Sequence, residues 1–480
     1  MNVNLLFSDD RKSVISLPFG WEDLSQDLCL EPVFSAMADG DPVIYDSVSN
    51  QMFALLPDME AISCRQEIMK DVLRNPESVS EFYALTGAAL QKQGEESLRF
   101  GAALTITQMF DRSKKRMHLL LNALRQLKAL EEREKQNFRS AGFTRLFDSW
   151  EQELSADFFR GADALMEELE FPSGMKVEAR TELKGFSDTY RLLLHPGRPG
   201  AEHVFTVADT DRRGQGDLLH RKEAALSKTV LELSQAVCCI CSWLETLRRE
   251  LAFYMGGLNL YRKLKARGLP AVFPGKSEKG WKGQNLYELN VALTAEAPVG
   301  NDLAVEERCI LTGADIGGKT TYIKAVAQSQ LLLQCGLFVC ADHFLAPAVR
   351  GIFTHFQREE DPSMVSGKLA EELDRIGGIV DHIHPGSVLF SDESFCSTNE
   401  KEGAEMALQV TEALRSCGVS VFAVTHLYPF AKHAWEEERE HWTFLCSERL
   451  ENGTRTFRIL PGAPRETAYS ADLYREIYEC

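Results

Sequence analysis

Four residues at a fixed spacing are the most chemically suggestive feature of this chain: Gly313, Gly318, Lys319 and Thr320. They satisfy the pattern G-x-x-x-x-G-K-[ST], with an apolar run before them and a helical pattern after them. Glycines let backbone amides turn toward phosphate oxygens, and the N-terminal end of the following helix attracts the same anion. The lysine would reach the β and γ phosphates, and the threonine hydroxyl would bind Mg²⁺. The alternative is a glycine-rich turn with a surface lysine.

The residues expected to hold the nucleotide form one continuous segment: Gly313, Ala314, Asp315, Ile316, Gly317, Gly318, Lys319, Thr320 and Thr321. Hydrolysis also needs an acidic element, and the run SVLFSDES places Asp392 and Glu393 at the end of an apolar strand. Asp392 is suited to hold Mg²⁺ through water, together with Thr320. Glu393 is suited to polarise the attacking water.

A histidine, His426, ends the next apolar run, VFAVTHLYPF. Beside a γ phosphate it could donate a hydrogen bond to the transferring oxygens. Both the acidic pair and the histidine have a plainer interpretation, because half-buried strands often end in solvated polar residues. Their coincidence with the glycine-lysine pattern favours the catalytic interpretation.

Composition restricts the function classes. The 480 residues, 44% hydrophobic and 26% charged, predict a soluble globular protein of two domains. We expect a cytoplasmic location without a membrane anchor, because no continuous apolar run is long enough to cross a bilayer and no export signal is recognisable. The scattered cysteines predict reduced thiols, and the group Cys238, Cys239 and Cys241 favours a packed helix over a metal site. A net charge of −18 means that any DNA contact needs a local basic patch.

The chain divides by pattern into two parts. Residues 1–268 read as a mostly α-helical core and lever domain, with a small β insertion near 175–210. Within it, Leu98 to Arg139 contains no proline and predicts one very long helix or two joined ones. Residues 269–480 alternate short β-rich runs with helical ones, which predicts a parallel sheet with crossover helices. The fold class is therefore an α/β domain preceded by a helical one.

The runs LTGADIGGKTTYIKA, SVLFSDES and VFAVTH, with FRILPGAPRETAYS near the end, resemble the MutS family, which belongs with the ABC-type P-loop ATPases. The resemblance implies ATP and Mg²⁺ as cofactors and hydrolysis of ATP to ADP and phosphate. It also implies a homodimer that sandwiches ATP, in which a signature serine of one subunit reaches the γ phosphate held by the other. MVSGKLAEEL places Ser366 at that position. Because the helical-core likeness begins near Arg65, we expect a short form without the N-terminal mismatch-recognition domain.

Three departures from the family pattern are visible in the sequence. Asp315 stands where the family usually has asparagine, and a carboxylate beside a triphosphate costs Coulomb energy. After Glu393 the chain reads SFCSTNE in place of a glycine-arginine-glycine-threonine stretch. The family often stacks an aromatic residue on adenine upstream of the glycine loop, where this chain offers only Pro298 and Val299.

These observations support three hypotheses. The first is an ATP-gated dimeric clamp that binds duplex or branched DNA through helical arms and is reset by hydrolysis, with RSKKR (112–116) and DRRGQG (211–216) as candidate phosphate contacts. Such basic runs are also typical of solvated helix faces. The second replaces DNA with a protein or ribonucleoprotein partner. The third is a nucleotide-responsive scaffold with slow turnover, which Asp315 favours.

Overall fold

The computed structural model describes residues 3–6, 17–98, 104–171, 175, 177–180, 189–192, 210–358 and 367–466. The chain forms two compact units, one of Met1–Asp10 with Asn75–Leu251 and the other of Arg11–Arg74 with Ala252–Cys480. The sequence predicts a domain boundary after residue 268, and that boundary stays a prediction. Residues 11–74 belong to the second unit because, for example, Asp27 Oδ2 accepts a hydrogen bond from Arg375 at 2.9 Å.

Helices dominate the chain up to residue 266, as the hydrophobic periodicity predicted. Their bounds are α1 Trp21–Asp27, α2 Leu30–Ala38, α3 Pro42–Gln51, α4 Met59–Arg74, α5 Pro76–Leu98, α6 Ile106–Glu134, α7 Ala141–Glu153, α8 Ala156–Glu168 and α9 Arg212–Ala266. A 3₁₀ turn, Lys135–Asn137, follows α6. Between α8 and α9, the described residues include one antiparallel strand pair, β1 Val177–Arg180 with β2 Thr189–Leu192.

The longest helix does not lie in the segment for which the sequence pattern predicted it. The predicted helix from Leu98 to Arg139 is shorter, because Thr105 starts α6 with a capping box to Gln108 and α6 ends at Glu134. The longest helix is α9, whose 55 residues span roughly 80 Å at the usual rise per residue. The sequence periodicity predicted that this helix begins only at Leu218, because two glycines interrupt the helical pattern of its first turns.

Helix α9 bears on two expectations drawn from composition, one about membrane-spanning segments and one about the group of cysteines. An 18-residue window in it has a mean hydropathy of 1.3, enough by length and composition alone to cross a bilayer, a criterion that core helices of soluble proteins also meet. The structure places Cys238 and Cys239 in this helix with exposed side chains, so the prediction of a packed helix face is wrong for these two cysteines. Across the described part of the chain, no group of three or more His, Cys, Asp or Glu side chains could hold a metal ion.

The second unit contains the α/β part of the chain. Its strands are β3 Gly275–Lys276, β4 Trp281–Leu286, β5 Asn301–Val305, β6 Arg308–Thr312, β7 His343–Ala346, β8 Ile352–Phe356, β9 Val388–Asp392, β10 Ser420–Val424, β11 Thr443–Arg449 and β12 Arg455–Pro461. Its later helices are α10 Leu289–Thr294, α11 Lys319–Gln334, α12 Lys368–His382, α13 Glu400–Ser416 and α14 Tyr428–Glu437, with a 3₁₀ turn at Arg439–His441.

Two sheets organise this unit. The larger has the order β12-β11-β6-β10-β9-β8. Pairing is parallel from β11 to β8, as the alternation of strands and helices predicted, and only β12 runs antiparallel to its neighbour. Since β6, β9 and β10 are adjacent and parallel, their carboxyl ends lie at one edge of the sheet. The smaller sheet has the order β3-β7-β4-β5. It includes β3 and part of β4, which lie in the segment that the sequence pattern indicated as the boundary between the two domains.

Candidate active site

The loop after β6 requires glycine for steric reasons. Gly313 has φ 124°, and a Cβ there would lie 2.4 Å from Ser447 Oγ on β11. A Cβ at Gly317 would lie 2.6 Å from the same oxygen. Gly318, with φ 86°, is the N-cap of α11, which begins at Lys319. The glycine spacing therefore matches a loop pressed against β11 that opens onto a helix N-terminus.

Lys319 lies across this loop and is 5% exposed. Its Nζ donates to the carbonyl oxygens of Gly313, at 3.0 Å, and Ala314, at 2.9 Å. Burial lowers the pKa of its ammonium group, and the nearby carboxylates of Asp315, Glu393 and Asp392 oppose that effect. The lysine is thus held by backbone carbonyls of the loop, which are partners that a phosphate oxygen can replace.

Asp392 ends β9 and is 6% exposed. Burial raises the pKa of its carboxyl group to about 6, against a hydrogen bond from Thr320, the second residue of α11. Among the described residues, its Oδ1 has no hydrogen-bond partner. An unpartnered carboxylate oxygen beside a threonine hydroxyl is the hard-oxygen environment that Mg²⁺ prefers. These two side chains therefore fit a magnesium ion.

Glu393 follows with a left-handed backbone, φ 55°, and its amide donates to Val424 O on the neighbouring strand. His426 Nε2 lies 2.9 Å from Glu393 Oε1 and 3.2 Å from Asp315 Oδ1. The hydrogen bond with His426 is the main cause of a lowered Glu393 pKa, and burial opposes it. His426 therefore bridges the carboxylate at the end of β9 and the carboxylate in the loop after β6.

A glutamine completes the surroundings of Glu393. With the Gln357 amide oriented so that both of its ends are satisfied, its nitrogen donates to Glu393 Oε2 at 3.2 Å. Its oxygen then accepts from Lys368 Nζ at 3.1 Å. Gln357 follows β8 and Lys368 begins α12, so both oxygens of Glu393 are engaged and the carboxylate is fixed in orientation.

Two family models match the chain: the MutS2 N-terminal domain over residues 57–267 and MutS domain V over residues 309–465. The second match contains the whole constellation of loop, acidic pair and histidine. The chain belongs to the MutS family. This confirms the resemblance seen in the glycine loop and in the segments SVLFSDES and VFAVTH.

Similar proteins carry the name Endonuclease MutS2. The protein of Listeria innocua is 27% identical over 302 residues, which cover 60% of this chain and 37% of that protein. The protein of Listeria monocytogenes serotype 4a is 26% identical over 298 residues, with the same coverage. The protein of Streptococcus thermophilus LMD-9 is 30% identical over 173 residues, 35% of this chain and 22% of that protein. The matches thus span between 22% and 37% of the length of these relatives.

The MutS-family motif residues predicted from sequence converge in space where the structure describes them. The loop from Gly313 to Thr321 and the side chains of Asp392, Glu393 and His426 meet at the carboxyl edge of the large sheet. Ser366 lies outside the described residues. Sequence reasoning missed Gln357 and Ser447, although each adjoins a predicted strand, because neither residue type stands out in such a position.

Proposed function

We propose that this MutS-family protein is an ATPase of the ABC type that binds ATP with Mg²⁺ and hydrolyses it to ADP and phosphate. The observation that carries the proposal is the convergence of Lys319 and Thr320 with Asp392, Glu393 and His426 around one glycine loop. A lysine, a pair of metal-holding oxygens and an oriented carboxylate are the groups that phosphoryl transfer to water requires.

Each side chain has a role that follows from its surroundings. Lys319 leaves the carbonyls of Gly313 and Ala314 and binds the β and γ phosphates. Thr320 and Asp392 hold Mg²⁺, which neutralises charge on the phosphate oxygens when bound. Glu393, kept ionised by His426, orients a water molecule and accepts its proton. His426 then faces the transferring oxygens as a donor.

The proposal includes a homodimer. By the family resemblance, Ser366 of the partner subunit reaches the γ phosphate, so the nucleotide joins two copies of the chain. ATP binding then closes the dimer and hydrolysis reopens it. Long helices such as α6 and α9 act as the arms of this clamp. We expect the protein in the cytoplasm, in keeping with its thiols and its acidic composition.

DNA, duplex or branched, is the proposed ligand of the arms, and the charges favour one of the two candidate segments. In RSKKR, Lys114 is 12% exposed on its side chain and lies 3.0 Å from Glu170 Oε1, and Arg116 donates to Gln93, so Lys115 is the one exposed cation of this described segment. In DRRGQG, Arg212 and Arg213 are exposed at the start of α9. We therefore assign phosphate contacts to Arg212 and Arg213 rather than to the first segment.

A protein or ribonucleoprotein partner is the second candidate, and the net charge of −18 favours it. The carboxylate of Asp315 inside the loop favours a slow, nucleotide-responsive scaffold instead. The name of the relatives includes an endonuclease activity. The geometry described above concerns phosphate hydrolysis, and the proposal is limited to it.

The decisive test is Glu393→Gln. We expect phosphate release to fall at least a hundredfold while MgATP binding persists, because the amide cannot accept a proton but keeps the size of the side chain. Glu405→Gln, at an exposed position of α13, should keep wild-type turnover. Turnover by Glu393→Gln at the wild-type rate would refute the catalytic assignment.

The same trapped variant separates the partner hypotheses. With MgATP it should retain labelled duplex or branched DNA at low salt, with an affinity that falls steeply as salt rises. Adding Arg212→Ala and Arg213→Ala should weaken retention and flatten the salt dependence. No retention at low salt, together with a protein or ribonucleoprotein that co-purifies from cells, would replace DNA by that partner.

A further inference from the structure

A buried histidine lies between helix α12 and the turn that follows Glu393. This residue, His355 of β8, is 1% exposed. Its Nδ1 lies 2.6 Å from Ser394 Oγ, and its Nε2 lies 3.2 Å from the carbonyl oxygen of Glu372 in α12. One nitrogen of the ring therefore contacts the residue next to Glu393, and the other contacts the backbone of α12.

The chemistry of these contacts determines where the protons lie. A carbonyl oxygen only accepts hydrogen bonds, so the contact with Glu372 requires a proton on Nε2. Burial, together with the nearby Arg375, lowers the pKa of His355 to about 4, so the ring is neutral near pH 7 and carries one proton. Nδ1 then accepts from the Ser394 hydroxyl, which also lies 3.0 Å from the carbonyl oxygen of His355. The hydrogen bonds thus run from Ser394 to His355 and from His355 to α12.

The turn held by these contacts has an unfavourable backbone. Glu393 and Phe395, on either side of Ser394, are both left-handed, with φ of 55° and 64°. Residues other than glycine are strained in this region and persist where their surroundings hold them. The turn belongs to the stretch SFCSTNE, which stands in place of the family's glycine-containing stretch. It therefore depends on contacts from outside, and Ser394 at its centre makes one with His355.

Helix α12 contacts the same loop a second time. Ser397 Oγ donates to Glu372 Oε1 at 2.8 Å, and Glu372 is 6% exposed. The contact between Gln357 and Glu393 Oε2 is of a different kind, because it involves the carboxylate itself. Gln357 thus fixes the direction of the carboxylate, whereas His355 fixes the backbone that carries it.

We propose that His355 is a positioning residue for hydrolysis: through Ser394 it holds the turn that carries Glu393, so that the carboxylate meets the attacking water in the orientation for proton transfer. This role rests on the proposed ATPase function. Within the described part of the chain, neither His355 nor Ser394 has a hydrogen bond to the glycine loop that would hold the phosphates. Loss of the link should therefore reduce turnover and leave nucleotide binding intact.

The test removes the Ser394 hydroxyl and measures turnover and binding separately on the full chain. In Ser394→Ala we expect kcat for phosphate release to fall about fivefold to tenfold with an unchanged Kd for MgATP, because Glu393 loses its fixed position while the glycine loop stays intact. Ser394→Thr keeps the hydroxyl and should retain wild-type turnover. Ser277→Ala is the matched control, since it removes a similarly half-buried hydroxyl that donates to Lys279 O at 2.8 Å, and it should also retain wild-type turnover.

A double-mutant comparison tests whether Ser394 acts through His355. His355→Leu removes both ring nitrogens, and adding Ser394→Ala to it should lower kcat no further, because the link is already broken. If His355→Leu does not fold, Ser394→Ala and Ser394→Thr still decide.

Three outcomes with an active wild-type chain would overturn the inference. They are an unchanged kcat in Ser394→Ala, a loss of MgATP affinity equal to the loss of kcat, and full addition of the two single effects in the double variant. A wild-type chain that releases no phosphate would instead refute the proposed ATPase function, and the positioning role with it.

Discussion

Asp315 stands in the glycine loop where the family usually has asparagine. In the structure its carboxylate has two nitrogen-bearing neighbours, a histidine and a lysine. Its Oδ1 lies 3.2 Å from His426 Nε2 and 4.0 Å from Lys319 Nζ. In the proposed mechanism the lysine leaves its loop partners for the phosphates. On that proposal the carboxylate competes with the triphosphate for the same partners while repelling it directly.

Replacing this carboxylate with the amide usual in the family should strengthen nucleotide binding. We expect Asp315→Asn to tighten MgATP binding by about threefold to tenfold, a limited gain because the side chain is 35% exposed and its field is screened. Calorimetric titration of MgATP at constant pH measures the change. Asp374→Asn, on the exposed face of α12, controls for the loss of one negative charge. Weaker binding by Asp315→Asn would show that the carboxylate chiefly positions His426.

At this scale the sequence was informative where chemistry restricts residue type. The glycine loop and its lysine could be recognised from spacing, and the carboxylates from their place after an apolar run. Ser447 and Gln357 could not, because their importance comes from what folds next to them.

Among the elements, α11 carries the loop and is held by glutamines rather than by apolar contacts alone. Gln328 donates to Leu28 O at 3.0 Å and to Glu288 Oε1 at 2.6 Å, and it accepts from Leu289 N at 2.8 Å. Gln330 accepts from Trp281 Nε1 at 2.7 Å. These buried amides fix the rotation of the helix, and thereby the direction in which its N-terminus faces.

Removing one of these amides should destabilise the second unit. We expect Gln328→Leu to lower the free energy of unfolding by about 2 kcal/mol or more, because the Leu289 amide and the Leu28 carbonyl lose their partners in a buried place. Urea denaturation monitored by circular dichroism measures it. Gln409→Leu, at an exposed position of α13, should change stability little. Equal effects of the two substitutions would contradict the role of the buried network.

Elements with strong periodicity were predictable and those with weak periodicity were not. The apolar runs that became β6, β8, β9 and β10 were recognised, and their parallel pairing followed from the helices between them. The segments that became β3 and β4 are rich in glycine and lysine, so they read as a linker. Their strand form depends on pairing with β7 and β5.

For the whole molecule, the proposed nucleotide sandwich makes each site depend on two chains. Lys319 and Ser366 would belong to the same site only if they come from different subunits. Lys319→Ala and Ser366→Ala should each abolish phosphate release when pure. Mixing the two variants should restore it, because one site of the mixed dimer then receives an intact lysine and an intact serine.

This complementation is measured as phosphate release by a mixture of the two variants, recorded as a function of protein concentration. The control mixes the Lys319→Ala variant with a chain that carries both Lys319→Ala and Glu405→Gln. This mixture should restore nothing, since neither chain has an intact loop. Failure of the first mixture, in a chain whose mixed dimers are demonstrated by sedimentation, would place both residues in one subunit and remove the sandwich.

The exposed thiols of α9 have a practical consequence. Thiolate is the reactive form of cysteine, and burial raises the pKa of the Cys335 and Cys340 thiols to about 12. A maleimide dye at neutral pH will therefore attach to Cys238 and Cys239, and also to the exposed thiols of Cys29, Cys64 and Cys417, while the sheltered sulfurs stay unmodified. Once the three exposed cysteines outside α9 are replaced, dyes on the remaining exposed pair report on this helix, and the arm motion that the proposed clamp requires can be tested directly.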